Sequence, residues 1–143
     1  MKFPSFDALR PYTYALLRIG MALMFMQHGA QKLFGALGGF GQMGGSVPIV
    51  SKFGLAGIIE FAGGLLIAVG ILTRPIAWLA VIEMCAAQAT VHLPQGPIPI
   101  LNHGEQSLSY LLVFLLIATH GPGRFSLDAM LGFDREEPAA ASM

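Results

Sequence analysis

The sequence predicts an all-α fold, a transmembrane four-helix bundle, and three observations predict it. Of its 143 residues 55% are hydrophobic and only 11% charged, with a mean hydropathy of +0.66. A soluble domain carries roughly a quarter charged residues to keep its surface wet. The apolar residues gather into four segments, each near the roughly 20 residues that cross a hydrocarbon core. Between them lie glycine- and proline-rich stretches that break helices.

The first segment covers about 12–34. Its position invites comparison with a signal peptide, but it exceeds the roughly 7–15 apolar residues of a signal core, carries Arg18, and lacks a small-x-small cleavage site at its end. It reads as a retained membrane helix. The second segment covers 53–73 and the third 75–93, with only Thr73 and Arg74 before Pro75 opens the next helix, which predicts an antiparallel hairpin. The fourth covers 103–120. Residues 35–51, rich in glycine, and 94–102, rich in proline, read as non-helical. Residues 1–123 then form a membrane domain. Residues 124–143, with Arg124, Asp128, Asp134, Arg135, Glu136 and Glu137 ahead of an Ala/Ser end, read as an aqueous, partly disordered C-terminal tail.

Four crossings put both termini on one face of the bilayer. That face carries Lys2, Arg10, Arg74, Arg124 and Arg135, against Lys32 and Lys52 on the other, so the positive-inside rule places both termini in the cytoplasm of a bacterial inner membrane. A formal net charge of zero offers no basic field for nucleic acid. A lone cysteine, Cys85, excludes an internal disulfide, and its mid-helix apolar setting reads as packing. Residues 39–44 match G-x-G-x-x-G by letter but follow no strand and open no helix, so the match is fortuitous. Gly57, Gly63, Gly64, Ala68 and Gly70 give the second helix a smooth face. Gly64 and Ala68, four apart, suit close approach of a helix of the same bundle, with a homodimer as the lesser alternative.

Function must be sought in the ionisable residues of the spans, because a charge there costs several kcal/mol and seldom occurs without a partner or a task. At roughly 1.5 Å per residue, Arg18 and Glu83 fall at matching depth in the cytoplasmic half and are expected to form a structural ion pair. The outer half holds the candidate ligand-binding set: His28, Lys32, Glu60, His92, Asn102 and Glu105, with Gln88 and His103 nearby. His28 and Lys32 share a helix face, as do Gln88 and His92, while Glu83 points roughly opposite His92. His28, His92, Glu60 and Glu105 suit a proton relay, a polar anchor for a quinone head group, or a metal site. The spacing lacks the local i,i+3 or i,i+4 ligand pair of a bundle metal centre, so no metal is assigned. Histidine beside a carboxylate in a low-dielectric pocket suits proton handling coupled to redox or binding. The competing reading is a hydrogen-bond network that only holds the helices together.

Several stretches carry a resemblance that covers nearly the whole chain. They are Leu17-Arg18-Ile19-Gly20, His28-Gly29-Ala30-Gln31-Lys32-Leu33-Phe34-Gly35, Glu60-Phe61-Ala62-Gly63-Gly64 and Gly70-Ile71-Leu72-Thr73-Arg74. Val91-His92-Leu93-Pro94-Gln95-Gly96, Asn102-His103-Gly104-Glu105 and Gly121-Pro122-Gly123-Arg124-Phe125-Ser126-Leu127-Asp128 follow in order. The chain resembles the DoxX family of small four-helix membrane proteins. The resemblance implies a redox setting, since the family takes its name from a membrane subunit associated with a thiosulfate:quinone oxidoreductase and other members are linked to thiol-redox assemblies. It places any site at Arg18, His28, Lys32, Glu60, Arg74, His92, Asn102 and Glu105. No covalently bound cofactor is expected, which leaves electron transfer to a redox-enzyme partner subunit or a diffusing quinone. The expectation is therefore a redox-associated membrane subunit that binds a quinone or similar small molecule. A non-enzymatic scaffold is the alternative, and a small-molecule transporter a more distant one, because four short helices leave little room for alternating access.

Overall fold

The computed structural model describes residues 6–41 and 44–133, and every regular element among them is helical. Local sequence sets most helix ends. A single 3-10 turn, Asp7–Leu9, leads into α1 (Arg10–Phe34), whose Pro11 occupies the first turn, where a missing N–H costs nothing. Gly35 stops α1 in the left-handed conformation at φ 64°. α2 (Lys52–Val69) starts at Ser51, whose Oγ accepts from Gly54 N at 3.0 Å. α3 (Thr73–Gln95) and α4 (Glu105–His120) complete the long helices, and a short α5 (Leu127–Leu131) is capped by Ser126 Oγ accepting from Ala129 N at 3.1 Å.

Helix ends lie within a few residues of those expected of the sequence, and at the hairpin and the start of the fourth helix the difference has an identifiable cause. The hairpin connection is residues 70–72, and Thr73 and Arg74 belong to α3. Gly70 ends α2 at φ 77°, and both carboxylate oxygens of Asp128 accept from Leu72 N and Thr73 N at 2.9 Å, satisfying N–H groups at the start of α3. The fourth helix opens at Glu105, not His103, because His103 is left-handed at φ 57° and the Asn102 side chain ties down Gly104 N at 2.8 Å.

α1 packs along α2, and α3 along α4. Phe25, Ile67, Ala77, Ala80, Phe114 and Ile117 lie fully buried between the helices. The glycine face of α2 meets α1 of the same chain: a Cβ on Gly64 would stand 2.7 Å from the Ala22 carbonyl oxygen, and one on Gly29 of α1 only 2.3 Å from Phe61 N. α2 and α3 are long and apolar enough to cross a membrane, whereas α1 includes Arg10, Arg18 and Lys32 and α4 has 16 residues. Large apolar side chains outside any cavity point outward on every long helix, among them Leu16, Leu23, Leu65, Trp78 and Leu112. Cys85 is exposed on this outer surface instead of packed inside.

The Arg18–Glu83 ion pair does not form. Arg18 is wholly buried and its guanidinium donates to the carbonyls of Ile67, Ala68 and Phe125. The carbonyls at a helix C-terminus lack intrahelical donors and carry the negative end of the dipole, so α2 supplies what a carboxylate was expected to supply. Arg74 does the same for α4, donating to Thr119 O at 2.6 Å and His120 O at 3.2 Å. Residues 124–133 accordingly do not begin a free tail. Asp128 N donates to Gly70 O at 2.8 Å and the Asp128 side chain is buried against the hairpin. Lys2 and residues 134–143, with their expected charges, lie outside the described residues.

Candidate ligand cavity between the helices

Two π-helical turns interrupt the long helices, Ile59–Gly63 in α2 and Gln88–His92 in α3. A π turn inserts an extra residue and rotates everything beyond it, and such turns cluster at functional sites. In an uninterrupted α-helix residues nine apart point roughly 180° from each other. The turn at Gln88–His92 undoes that opposition, and Glu83 and His92 line the same cavity. The first π turn carries Glu60 to the same place.

The cavity, open on one side, has a volume of about 530 Å³. It takes His28 and Lys32 from α1, Glu60 from α2, Glu83 and His92 from α3, and Gln106 and Tyr110 from α4, set among apolar walls that include Leu79, Ile82 and Met84. Phe40 and Phe53 close it from the glycine-rich loop and the start of α2, their rings 5.0 Å apart.

Lys32 and Glu60 are partners. Lys32 Nζ lies 2.7 Å from Glu60 Oε1 and 2.6 Å from Oε2, and the two side chains are 10% and 6% exposed. The ammonium also stands 5.3 Å from the Phe40 ring centre. Gln106 Nε2 donates to His28 Nε2 at 2.6 Å, and the His28 ring meets Tyr110 edge-on with centres 5.9 Å apart. His92 Nδ1 donates to the Asn102 carbonyl at 3.0 Å. Gln88 Nε2 donates to Gly104 O at 2.7 Å and Ser107 Oγ at 2.8 Å, pinning α3 to the start of α4.

Of the six ligand-binding candidates, His28, Lys32, Glu60 and His92 line the cavity and Asn102 and Glu105 do not. Asn102 is a loop organiser: buried at 1% exposure, it accepts from Gly104 N and donates to Gly96 O at 2.6 Å. Glu105 is the exposed first residue of α4. Glu83, assigned to the cytoplasmic half, belongs here. Gln106 and Tyr110 went unnoticed, although their four-residue spacing repeats that of His28 and Lys32. Among the described residues no three His, Cys, Asp or Glu side chains converge as a metal site would require.

Helices as every regular element among the described residues, apolar outer faces, and ionisable side chains turned toward a cavity between the helices are the build of a membrane protein. The chain belongs to the DoxX family, whose model, described as DoxX, matches residues 13–93 and so takes in His28, Glu60, Glu83 and His92 of the cavity. An uncharacterized protein of Haemophilus influenzae is 36% identical over 131 residues, 87% of this chain and 94% of its own length. The inner membrane protein YphA of Escherichia coli is 27% identical over 136 residues, 90% of this chain and 96% of its own. An uncharacterized membrane protein of Mycobacterium tuberculosis is 30% identical over 136 residues, 85% and 82% of the two chains. No solved structure matches the chain.

Proposed function

We propose that this DoxX-family membrane protein is a four-helix transmembrane bundle of the bacterial inner membrane whose cavity binds the head group of a quinone or similar small molecule. It serves as the membrane subunit of a redox assembly, with electrons supplied by a partner redox-enzyme subunit. The observation that carries the reading is the cavity itself: about 530 Å³, mainly apolar, with a few polar side chains contributed by all four long helices. That size and lining suit a small ring with an apolar tail, since ligand sites are apolar clefts of roughly 300–1,000 Å³ with a few placed polar groups. His28 and Tyr110 line the cavity with their rings in contact, and both side chains are of the kind that donates to ring oxygens.

The outward apolar side chains support a lipid-facing surface on all four helices. Arg10, Arg74 and Arg124 mark the end that carries the 70–72 turn and α5, and Lys52 the opposite end, which supports cytoplasmic termini. The reading is tested by titrating the detergent-solubilised protein with a decyl-substituted benzoquinone. Saturable binding is expected, and His28→Ala or Tyr110→Phe should weaken it about tenfold, roughly one hydrogen bond, without lowering the melting midpoint. A folded wild-type protein that shows no saturable binding refutes the proposal and leaves the scaffold role.

A further inference from the structure

The polar groups around the cavity divide into those already satisfied and those left open. Lys32 and Glu60 hold each other, Gln106 serves His28, and His92 is bound to the Asn102 carbonyl. Glu83 is different. Both its carboxyl oxygens are shielded from solvent, and neither has a hydrogen-bond partner among the described residues. The Tyr110 hydroxyl, beside Gln106, is likewise shielded from solvent. Buried polar groups are rarely left as Glu83 is, because an unmade hydrogen bond carries the full desolvation penalty.

A carboxyl group keeps at least one acceptor oxygen in either protonation state, so whatever completes Glu83 must bring a donor. A ring bearing only carbonyl oxygens brings none. An ammonium would bring one, but it must give up its hydration to enter a mainly apolar cavity, a penalty of several kcal/mol. A neutral O–H carries no charge to desolvate, and the aromatic and aliphatic walls suit the ring that would carry it. A second oxygen on that ring can engage the Tyr110 hydroxyl, which donates as well as accepts.

We propose that Glu83 is a binding residue that, on turning its shielded carboxyl group toward the cavity, selects ligands presenting a neutral O–H donor on an apolar aromatic body, so that the cavity favours the phenolic, reduced form of such a ring over the form with acceptors only. The proposal rests on the reading of the cavity as a ligand site. No electron transfer enters it; only the hydrogen bond from the ligand hydroxyl to the carboxyl is claimed.

4-Hexylphenol and 4-hexylanisole differ in the donor alone, and calorimetric titration of the full chain in detergent, corrected for partition into empty micelles, compares them without redox chemistry. The wild-type protein is expected to bind the phenol at least about tenfold tighter than the ether, because a site built for a hydroxyl leaves its own polar group unpaired when the hydroxyl is missing. Glu83→Leu should bind the two alike and melt no lower than wild type, having lost an unpaired buried carboxyl. If that variant does not fold, Glu83→Gln reads the same ratio: its amide donates to the ether oxygen and should narrow the preference about threefold or more. Equal binding by wild type, or an unchanged preference in the folded variants, overturns the role of Glu83 while leaving the cavity a ligand site. Binding of neither compound to the folded wild-type protein removes both readings.

Discussion

Removing one member of the Lys32–Glu60 pair should be far more damaging than removing both. With Nζ 2.6 and 2.7 Å from the two carboxylate oxygens, Coulomb attraction is roughly 6 kcal/mol at an effective dielectric constant of about 20. Against this stands a desolvation penalty of several kcal/mol for each ion, with residual exposures of only 8% and 5%. The two nearly cancel, so the intact pair adds little net stability, whereas a lone survivor keeps its penalty without the attraction. Lys32→Met is therefore expected to cost about 3–5 kcal/mol, and the double variant Lys32→Met/Glu60→Leu to fall within about 1 kcal/mol of wild type or exceed it. The assay is a double-mutant cycle on the detergent-solubilised protein, with unfolding followed by circular dichroism at the helix band. A double variant destabilised by the sum of its single losses would show that the two side chains do not act as a pair.

Two further substitutions probe the frame around the cavity. Asp128→Ala removes the acceptor of Leu72 N and Thr73 N and should cost about 1–2 kcal/mol, with Asp128→Asn, which keeps one acceptor oxygen, losing less; equal melting midpoints for Asp128→Ala and wild type would deny the cap. Gly29→Ala would place a Cβ 2.3 Å from backbone N of Phe61 and should cost about 1–3 kcal/mol or prevent accumulation of the protein. Gly20→Ala, with nothing within 4 Å, is the matched control and should be neutral or stabilising by about 0.5–1 kcal/mol. Similar expression and melting for the two alanine variants would refute the close approach of α1 and α2.

The helices were legible where their signals are local. Runs of apolar residues, Pro75 in a first turn and glycine-rich 35–51 mark α1 to α3 within a few residues, although Gly70, read as part of the smooth face of the second helix, is where that helix stops. The start of α3 was missed because its cap, Asp128, lies 55 residues beyond Thr73, and no local pattern announces a partner that far along the chain. Site membership depended on rotational phase. Glu83 was set opposite His92 by counting ideal α-helical residues, and a π turn, which leaves no compositional mark in Gln88-Ala89-Thr90-Val91-His92, changed the count. Depth alone paired Arg18 with Glu83, since depth cannot distinguish a carboxylate from helix-terminal carbonyls at the same level. His28, Lys32, Glu60 and His92 line one cavity, and they stood out in the sequence because a four-residue spacing or an isolated charge in an apolar span survives small errors of phase.

The hydrogen bonds of Arg18 also impose an order on assembly. Its guanidinium emerges on α1, the first long helix to be made, yet its acceptors are the last turn of α2 and the Phe125 carbonyl beyond α4. Synthesis proceeds from the N-terminus at roughly 5–20 residues per second, so the 107 residues between Arg18 and Phe125 represent several seconds during which a cation destined for the interior is incompletely served. The insertion machinery or the lipid head groups must accommodate it meanwhile. When α5 arrives, the same event supplies Arg18 with its Phe125 acceptor and sets Asp128 on the hairpin, so α1 is locked by a turn made after the other three long helices.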